Sequence, residues 1–145
     1  MDFPVDVALA ELVPTLPVGT KWRYEMKLDG HRAVVWREKD TVRLQARSGR
    51  DVTAVWMDLA LAALEILPAG VVVDGEAVIY AHGKIDFAAA QSRALSTPAR
   101  ARRLAEDLPA HFATGVRTGS WLVITGVMRP SQQEGDPCSR GPSRE

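Results

Sequence analysis

One cysteine, Cys138, stands in the 145 residues, which excludes an intramolecular disulfide and a cysteine-rich zinc site. Histidine is nearly as scarce, and His31, His82 and His111 show no metal-ligand spacing. Net charge is missing too. With 18 basic residues against 18 acidic, no global field argues for nucleic acid, and any DNA contact has to come from local patches. No apolar run nears the ~20 residues that span a bilayer, and no basic-then-apolar leader is visible. A soluble, intracellular, cytoplasmic protein is therefore expected. Repeats and heptads are absent. What is there is a 46% hydrophobic chain, long enough for one domain with a real core and too short for two.

Residues 1–19 hold three prolines around a short apolar run and read as an entry arm. From Lys21 to Lys27 the period is two, with Trp22, Tyr24 and Met26 facing one way and Arg23, Glu25 and Lys27 the other. Asp29-Gly30 signals a tight turn, since both residues tolerate positive φ. Ala33 to Trp36 then predicts a second strand and Thr41 to Arg47 a third, with Arg47 on its polar face before the Ser48-Gly49 bend. Asp51 or Thr53 offers a cap to a helix whose stripe is Trp56, Leu59, Ala60, Ala63, Leu64 and Leu67. Val71 opens a buried strand that runs through Asp74-Gly75-Glu76 to Tyr80. Asp86 caps a helix from Phe87 to about Leu95, and Thr97-Pro98 starts another that ends near Asp107. After Phe112 the composition turns to Gly, Pro, Ser and Arg, and the apolar run Trp121 to Val127 has no evident partner. The last fifteen or so residues have a disordered composition.

Five groups of side chains can carry chemistry. Lys27 can attack phosphorus as a neutral amine, but only roughly one lysine in 2,500 is neutral at pH 7. Burial or nearby positive charge such as Arg32 improves that fraction. Arg32 and Arg47 offer planar forks to phosphate or ribose. Glu76, after the valine run and on one strand face with Asp74, suits a ribose hydroxyl or a metal ion. Glu25, on the face of Lys27, lines a base pocket or pairs with a neighbouring charge. Each also has a plainer reading, as a solvated strand or turn residue. The arginines around Pro98 (Arg93, Arg100, Arg102, Arg103) suit DNA phosphates or a solvated helix face.

In combination these segments resemble a known family. Lys27-Leu28-Asp29-Gly30-His31-Arg32 is similar to the K-x-D-G-x-R motif of the ATP-dependent DNA ligases. Arg47-Ser48-Gly49 resembles their next motif, and Val73-Asp74-Gly75-Glu76 their hydrophobic-D-G-E. Phe87 to Arg93 resembles the phenylalanine, glutamine and arginine helix that often follows. The likeness runs from about Val5 to Phe112 and has the flavour of bacterial repair and end-joining ligases. It implies an α+β fold: an antiparallel sheet with packed helices, the N-terminal part of an ATP-grasp-like nucleotidyltransferase (adenylation) domain. It implies ATP with Mg2+ or Mn2+, lysyl-AMP on Lys27, phosphate contacts from Arg32 and Arg47, ribose or metal at Glu76, and adenine beside Glu25. Nicked or broken duplex DNA would be the substrate, end-joining repair proteins the partners, and the nucleoid the working place. An RNA ligase or capping-type nucleotidyltransferase is the alternative within the superfamily, and a non-catalytic nucleotide-binding fragment the one outside it.

The aromatic-Asp, Glu-Gly-aliphatic and Lys-x-Lys motifs that follow in that family are not found here. The expected division is a partial adenylation domain over 1–112 and an atypical, disordered or out-of-frame tail over 113–145. An exposed sheet edge and poor solubility are expected with it.

Overall fold

The computed structural model describes residues 2–22, 27–115 and 121–125; for residues 115 and 121–125 only the backbone is considered. The described elements are β1 (His31–Arg37), β2 (Val42–Ala46), α1 (Met57–Ile66), β3 (Val71–Ala81), β4 (Lys84–Ile85), α2 (Phe87–Ala94), α3 (Pro98–Asp107), β5 (Ala110–Gly115) and β6 (Trp121–Thr125). All strand pairings are antiparallel in a six-stranded sheet of order β2-β1-β3-β5-β6, with β4 hairpinned onto β3. The protein is α+β, as the sequence implies.

One sheet face is covered by helices. Ala33, Val35, Leu44, Ala77, Ile79 and Phe112 pack there with Trp56, Leu59, Ala60 and Ala63 of the α1 region. The apolar stripe read from the sequence is thus the buried stripe, and burial of that face drives the helix onto the sheet. Over β1 and β2 the opposite face is covered by the N-terminal arm. Phe3 meets Trp36 edge-on at 5.5 Å between ring centroids. The Gln45 amide pairs with the Val5 backbone, accepting from its N–H at 2.9 Å and donating to its carbonyl at 2.6 Å. Because both faces are covered, Ala33, Val34, Val35 and Trp36 are all buried, and β1 shows a continuous apolar run rather than alternation.

Several local expectations change. Asp51 accepts from the Thr53 N–H and hydroxyl ahead of a short 3-10 turn, Thr53–Val55, whose N-cap is Val52. The α1 N-cap is Trp56, with no side-chain hydrogen bond. Asp86 and Thr97 do cap α2 and α3, accepting from the Ala89 and Arg100 amides. The strand expected over Lys21 to Lys27 lies largely outside the described residues, and Lys21, Trp22 and Lys27 at its ends are not in strand. The run at Trp121 finds a partner after all, pairing with β5 from Gly115↔Trp121 to His111↔Thr125. β5 itself runs through Phe112 without a break, since the backbone pairing Glu76↔Ala113 continues the ladder to β3.

Gly30 serves differently from the turn role the sequence suggests, whereas Gly75 lies within the strand read there, β3. Positive φ is found at Gly19, Gly49, Gly70 and Gly83, and at His82, but not at Gly30 or Gly75. A Cβ on Gly30 would fall on the Ala77 carbonyl and 2.7 Å from Val78 Cγ1, and one on Gly75 2.6 Å from Phe112 Cζ. Both glycines are needed for close approach of strands, not for a left-handed turn.

Candidate active site

A cleft of about 680 Å³ opens at the end of the sheet where β1 begins and β2 ends, and α2 forms its far wall. Gly30, His31, Arg32, Arg47 and Glu76 line it, joined by Arg50 and by Phe87 and Gln91 of α2. The three motifs therefore reach one cavity from three separate stretches of chain. The ladder explains how: Arg32 is the direct cross-strand partner of Glu76, and β2 returns beside β1 to deliver Arg47 at the same end.

Arg32 is already committed. Its Nε donates to Asp74 Oδ1 at 2.6 Å and its Nη2 to Oδ2, a forked pair between the diagonal neighbours of β1 and β3. Asp74 thereby raises the Arg32 pKa further. Glu76 is partly buried. Burial pushes its carboxyl above the ordinary range, opposed by the Gly30 backbone amide and the Arg32 charge. Arg47 follows the last residue of β2, is exposed, and its guanidinium has no hydrogen bond or ion pair among the described residues.

Lys27 stands at the mouth, outside the cleft lining, with its side chain 86% exposed and Nζ paired to Asp29 Oδ1. That hydrogen bond and charge raise its pKa, with a smaller push from Glu76. The amine is thus within electrostatic reach of Glu76, and its pairing with Asp29 opposes the loss of a proton that nucleophilic attack requires. Glu25 lies outside the described residues.

Among the described residues no three His, Cys, Asp or Glu side chains cluster as a metal-ligand set. A magnesium ion needs fewer, since it keeps several waters and takes one or two carboxylates plus substrate phosphates. Glu76 fits that role, because burial leaves its ionised form under-compensated and a cation would restore the balance.

Sequence reasoning missed two cleft residues and misplaced one. Arg50 sits three residues after Arg47 across the bend, and a charged pair bracketing Ser-Gly was the available signal. His31, the variable position of its motif, has Nε2 3.1 Å from Gln91 Oε1 and its ring 6.2 Å from that of Trp56. Arg93 is not available to phosphates. It is 1% exposed, with Nε donating to the Val55 carbonyl at 3.0 Å, Nη2 to Asp58, and the guanidinium stacked 4.8 Å over Trp56. Arg100, Arg102 and Arg103 do form an exposed face of α3.

Arg32, Arg47 and Glu76 thus line one open cleft at the end of an antiparallel sheet, and Lys27 lies outside its lining. A family model described as ATP dependent DNA ligase domain matches residues 8–114, and the chain belongs to that family. It is 38% identical over 109 residues to DNA ligase C2 of Mycolicibacterium smegmatis and 37% identical over 109 residues to DNA ligase C of Mycobacterium tuberculosis. Each match covers 75% of this chain and 30% of the relative, so the chain spans about a third of their length. The multifunctional non-homologous end joining protein LigD of Mycobacterium bovis is 40% identical over 79 residues, 54% of this chain and 10% of that protein. A solved structure described as mycobacterial DNA ligase D complexed with ATP and MES has 34% identity over 63% of this chain and 27% of that one, at a TM-score of 0.49. No helix among the described residues is long and apolar enough to cross a membrane.

Proposed function

We propose that this chain carries the AMP-accepting pocket of an ATP-dependent DNA ligase, with Lys27 as nucleophile. The observation that carries the reading is the convergence at one cleft mouth of Arg32 and Glu76 as cross-strand partners, with Lys27 close enough for Glu76 to act on its pKa. The pocket belongs to an adenylation domain over residues 1–112, and its setting is intracellular, in the cytoplasm and on the nucleoid.

The chemistry follows from the groups present. Lys27 Nζ must first leave Asp29 and lose its proton. Its lone pair then attacks the α-phosphorus of ATP; an N–P bond forms, the bond to the bridging oxygen breaks and pyrophosphate departs. An oxygen of a DNA 5′-phosphate next displaces the lysine, and the 3′-hydroxyl of the nick displaces AMP. Arg47 offers the forked donors for phosphate, since Arg32 is held by Asp74 and serves to fix Glu76's surroundings. Glu76 would hold Mg2+ or Mn2+, which supplies neutralisation of developing phosphate charge. Glu25 is assigned to the adenine by its motif position. Nicked or broken duplex DNA is the substrate, and end-joining repair proteins are the fitting partners.

Incubation with ATP labelled at the α-phosphate and a divalent metal tests this. A covalent label that survives denaturation and disappears in Lys27→Ala is expected, followed by sealing of a nicked duplex. A label on capped or RNA substrates only would move the assignment to the RNA-directed enzymes. One observation favours a non-catalytic reading: Lys27 is exposed and neutralised by Asp29. Its signature would be saturable ATP binding with no covalent label.

A further inference from the structure

Most arginines around the sheet are spent on protein partners. Arg32 is held by Asp74, Arg43 by Glu38, Arg37 by the Glu38 and Lys39 carbonyls, and Arg93 by Asp58 and Val55. Arg47 and Arg50 are different. Both are exposed, both line the cleft, and neither guanidinium has a hydrogen bond or ion pair among the described residues.

The loop that carries them is closed and backed. Ala46 donates to the Arg50 carbonyl at 2.9 Å, Gly49 donates to the Ala46 carbonyl at 2.9 Å, and Gln45 bridges Asp51 below. Gly49, at φ +83°, turns the tip between the two arginines. Behind the tip lies the N-terminal strap: Pro4 Cγ is 3.5 Å from where a Gly49 Cβ would stand, and Val5 is fastened to Gln45 by both hydrogen bonds of its amide. Gln45 is fully buried and also accepts from Trp36 Nε1 at 3.1 Å. Side chains that are uncommitted, on a backbone that is fixed from two sides, are what planar recognition of an anion requires.

We propose that Arg50 acts with Arg47 as a two-arginine clamp on a phosphate group, on a loop positioned by the Phe3–Val5 strap through Gln45. The proposal rests on the assignment of the cleft to nucleotide and DNA phosphates. Two forks match the double charge and the several oxygens of a terminal phosphate. The same chemistry is offered by the 5′-phosphate of a DNA end and by the phosphates of ATP.

Two arms on the full chain separate these sources: fluorescence anisotropy with nicked duplexes that carry a 5′-phosphate or a 5′-hydroxyl, and covalent labelling by ATP. The wild type is expected to prefer the 5′-phosphate duplex, and Arg50→Ala to cut that preference about tenfold, as loss of a charge-assisted hydrogen bond does. Arg50→Lys, which keeps the charge and loses the fork, should recover only part of it. Gln45→Ala should lower the preference with both arginines in place; should it fail to fold, the exposed Arg50 carries the test alone. A reduction confined to ATP labelling supports the clamp and assigns it to the nucleotide. An Arg50→Ala protein unchanged in both arms overturns the clamp, as does a wild type with no 5′-phosphate preference and no labelling. A wild type that prefers the 5′-phosphate but takes no label on Lys27 overturns the ligase assignment and leaves the clamp standing.

Discussion

The guanidinium of Arg93, on α2, is buried against the carboxylate of Asp58, on the first turn of α1 and 35 residues earlier in the chain. Asp58 Oδ2 also accepts from the Ala110 N–H at 2.9 Å, where β5 begins, so one carboxylate ties two helices and a strand. The pair fastens to α1 the helix α2, which carries Phe87 and Gln91 of the cleft wall.

Breaking one partner of this pair strands the other. Arg93→Leu leaves Asp58 with its backbone donors but no cation, and should cost roughly 3–5 kcal/mol, a large part of a domain's stability. The urea midpoint measures it. Replacing both residues with leucine should destabilise by less than the sum of the single changes, since no uncompensated charge remains. Additive losses would show that the pair is not a unit.

Gly30 and Gly70 make opposite demands and can be told apart by asparagine. Gly70 sits at φ +84° with nothing within 4 Å of an added Cβ, and asparagine tolerates that region. Gly70→Asn should shift the melting temperature little. Gly30→Asn has no room against the Ala77 carbonyl, and overpacking there should cost about 1–3 kcal/mol or more. Equal effects at the two sites would refute the close-approach account.

Glu76 should cost the fold stability at neutral pH. Its folded pKa is raised above the ordinary 4.5 by burial, so the folded state favours the protonated form. That contribution is present in full below the unfolded value and is lost as pH rises through the folded one. Denaturant melts should therefore show Glu76→Gln more stable than wild type at pH 7, with the difference shrinking as pH falls toward 4. A constant difference across that window would mean that ionisation of Glu76 is not the source.

Asp29 restrains Lys27. Its hydrogen bond and charge raise the lysine pKa, so Asp29→Asn lowers it and leaves more neutral amine at any given pH. The rising limb of the labelling-rate profile should move to lower pH in Asp29→Asn. A profile that stays in place would show that the ion pair is already broken when ATP is bound.

Much of the fold could be read from residues that act locally. The α1 stripe at Trp56, Leu59, Ala60 and Ala63 buries itself by period alone, and Asp86 and Thr97 cap because their oxygens sit three residues before free amides. The features that escaped depend on distant partners. Arg93 has the composition of a surface residue, and only Asp58 makes its burial possible. Gln45 reads as a solvent-facing strand residue until Val5 covers it. Asp29-Gly30 reads as a turn because glycine's missing Cβ serves two purposes that sequence does not separate. The cleft was legible as motifs, yet Arg50 and the Gln91–His31 contact were not, since the first is ordinary in composition and the second joins residues 60 apart.

β3 is the seam of the sheet, and this bears on how the chain reaches its fold. Its residues 71–77 pair with β1 and its residues 76–79 with β5, so Glu76 lies where the two ladders overlap. Both ladders close long loops, the first spanning α1 and the second α2 and α3. Such non-local pairings form late and slowly, because loop-closure entropy is lost before the contacts repay it. On a ribosome, the stretch to Ala81 emerges before β5, leaving one side of β3 unpaired until the two following helices have been made. Glu76 therefore stands on a strand whose second ladder can close only after α2 and α3 have been made.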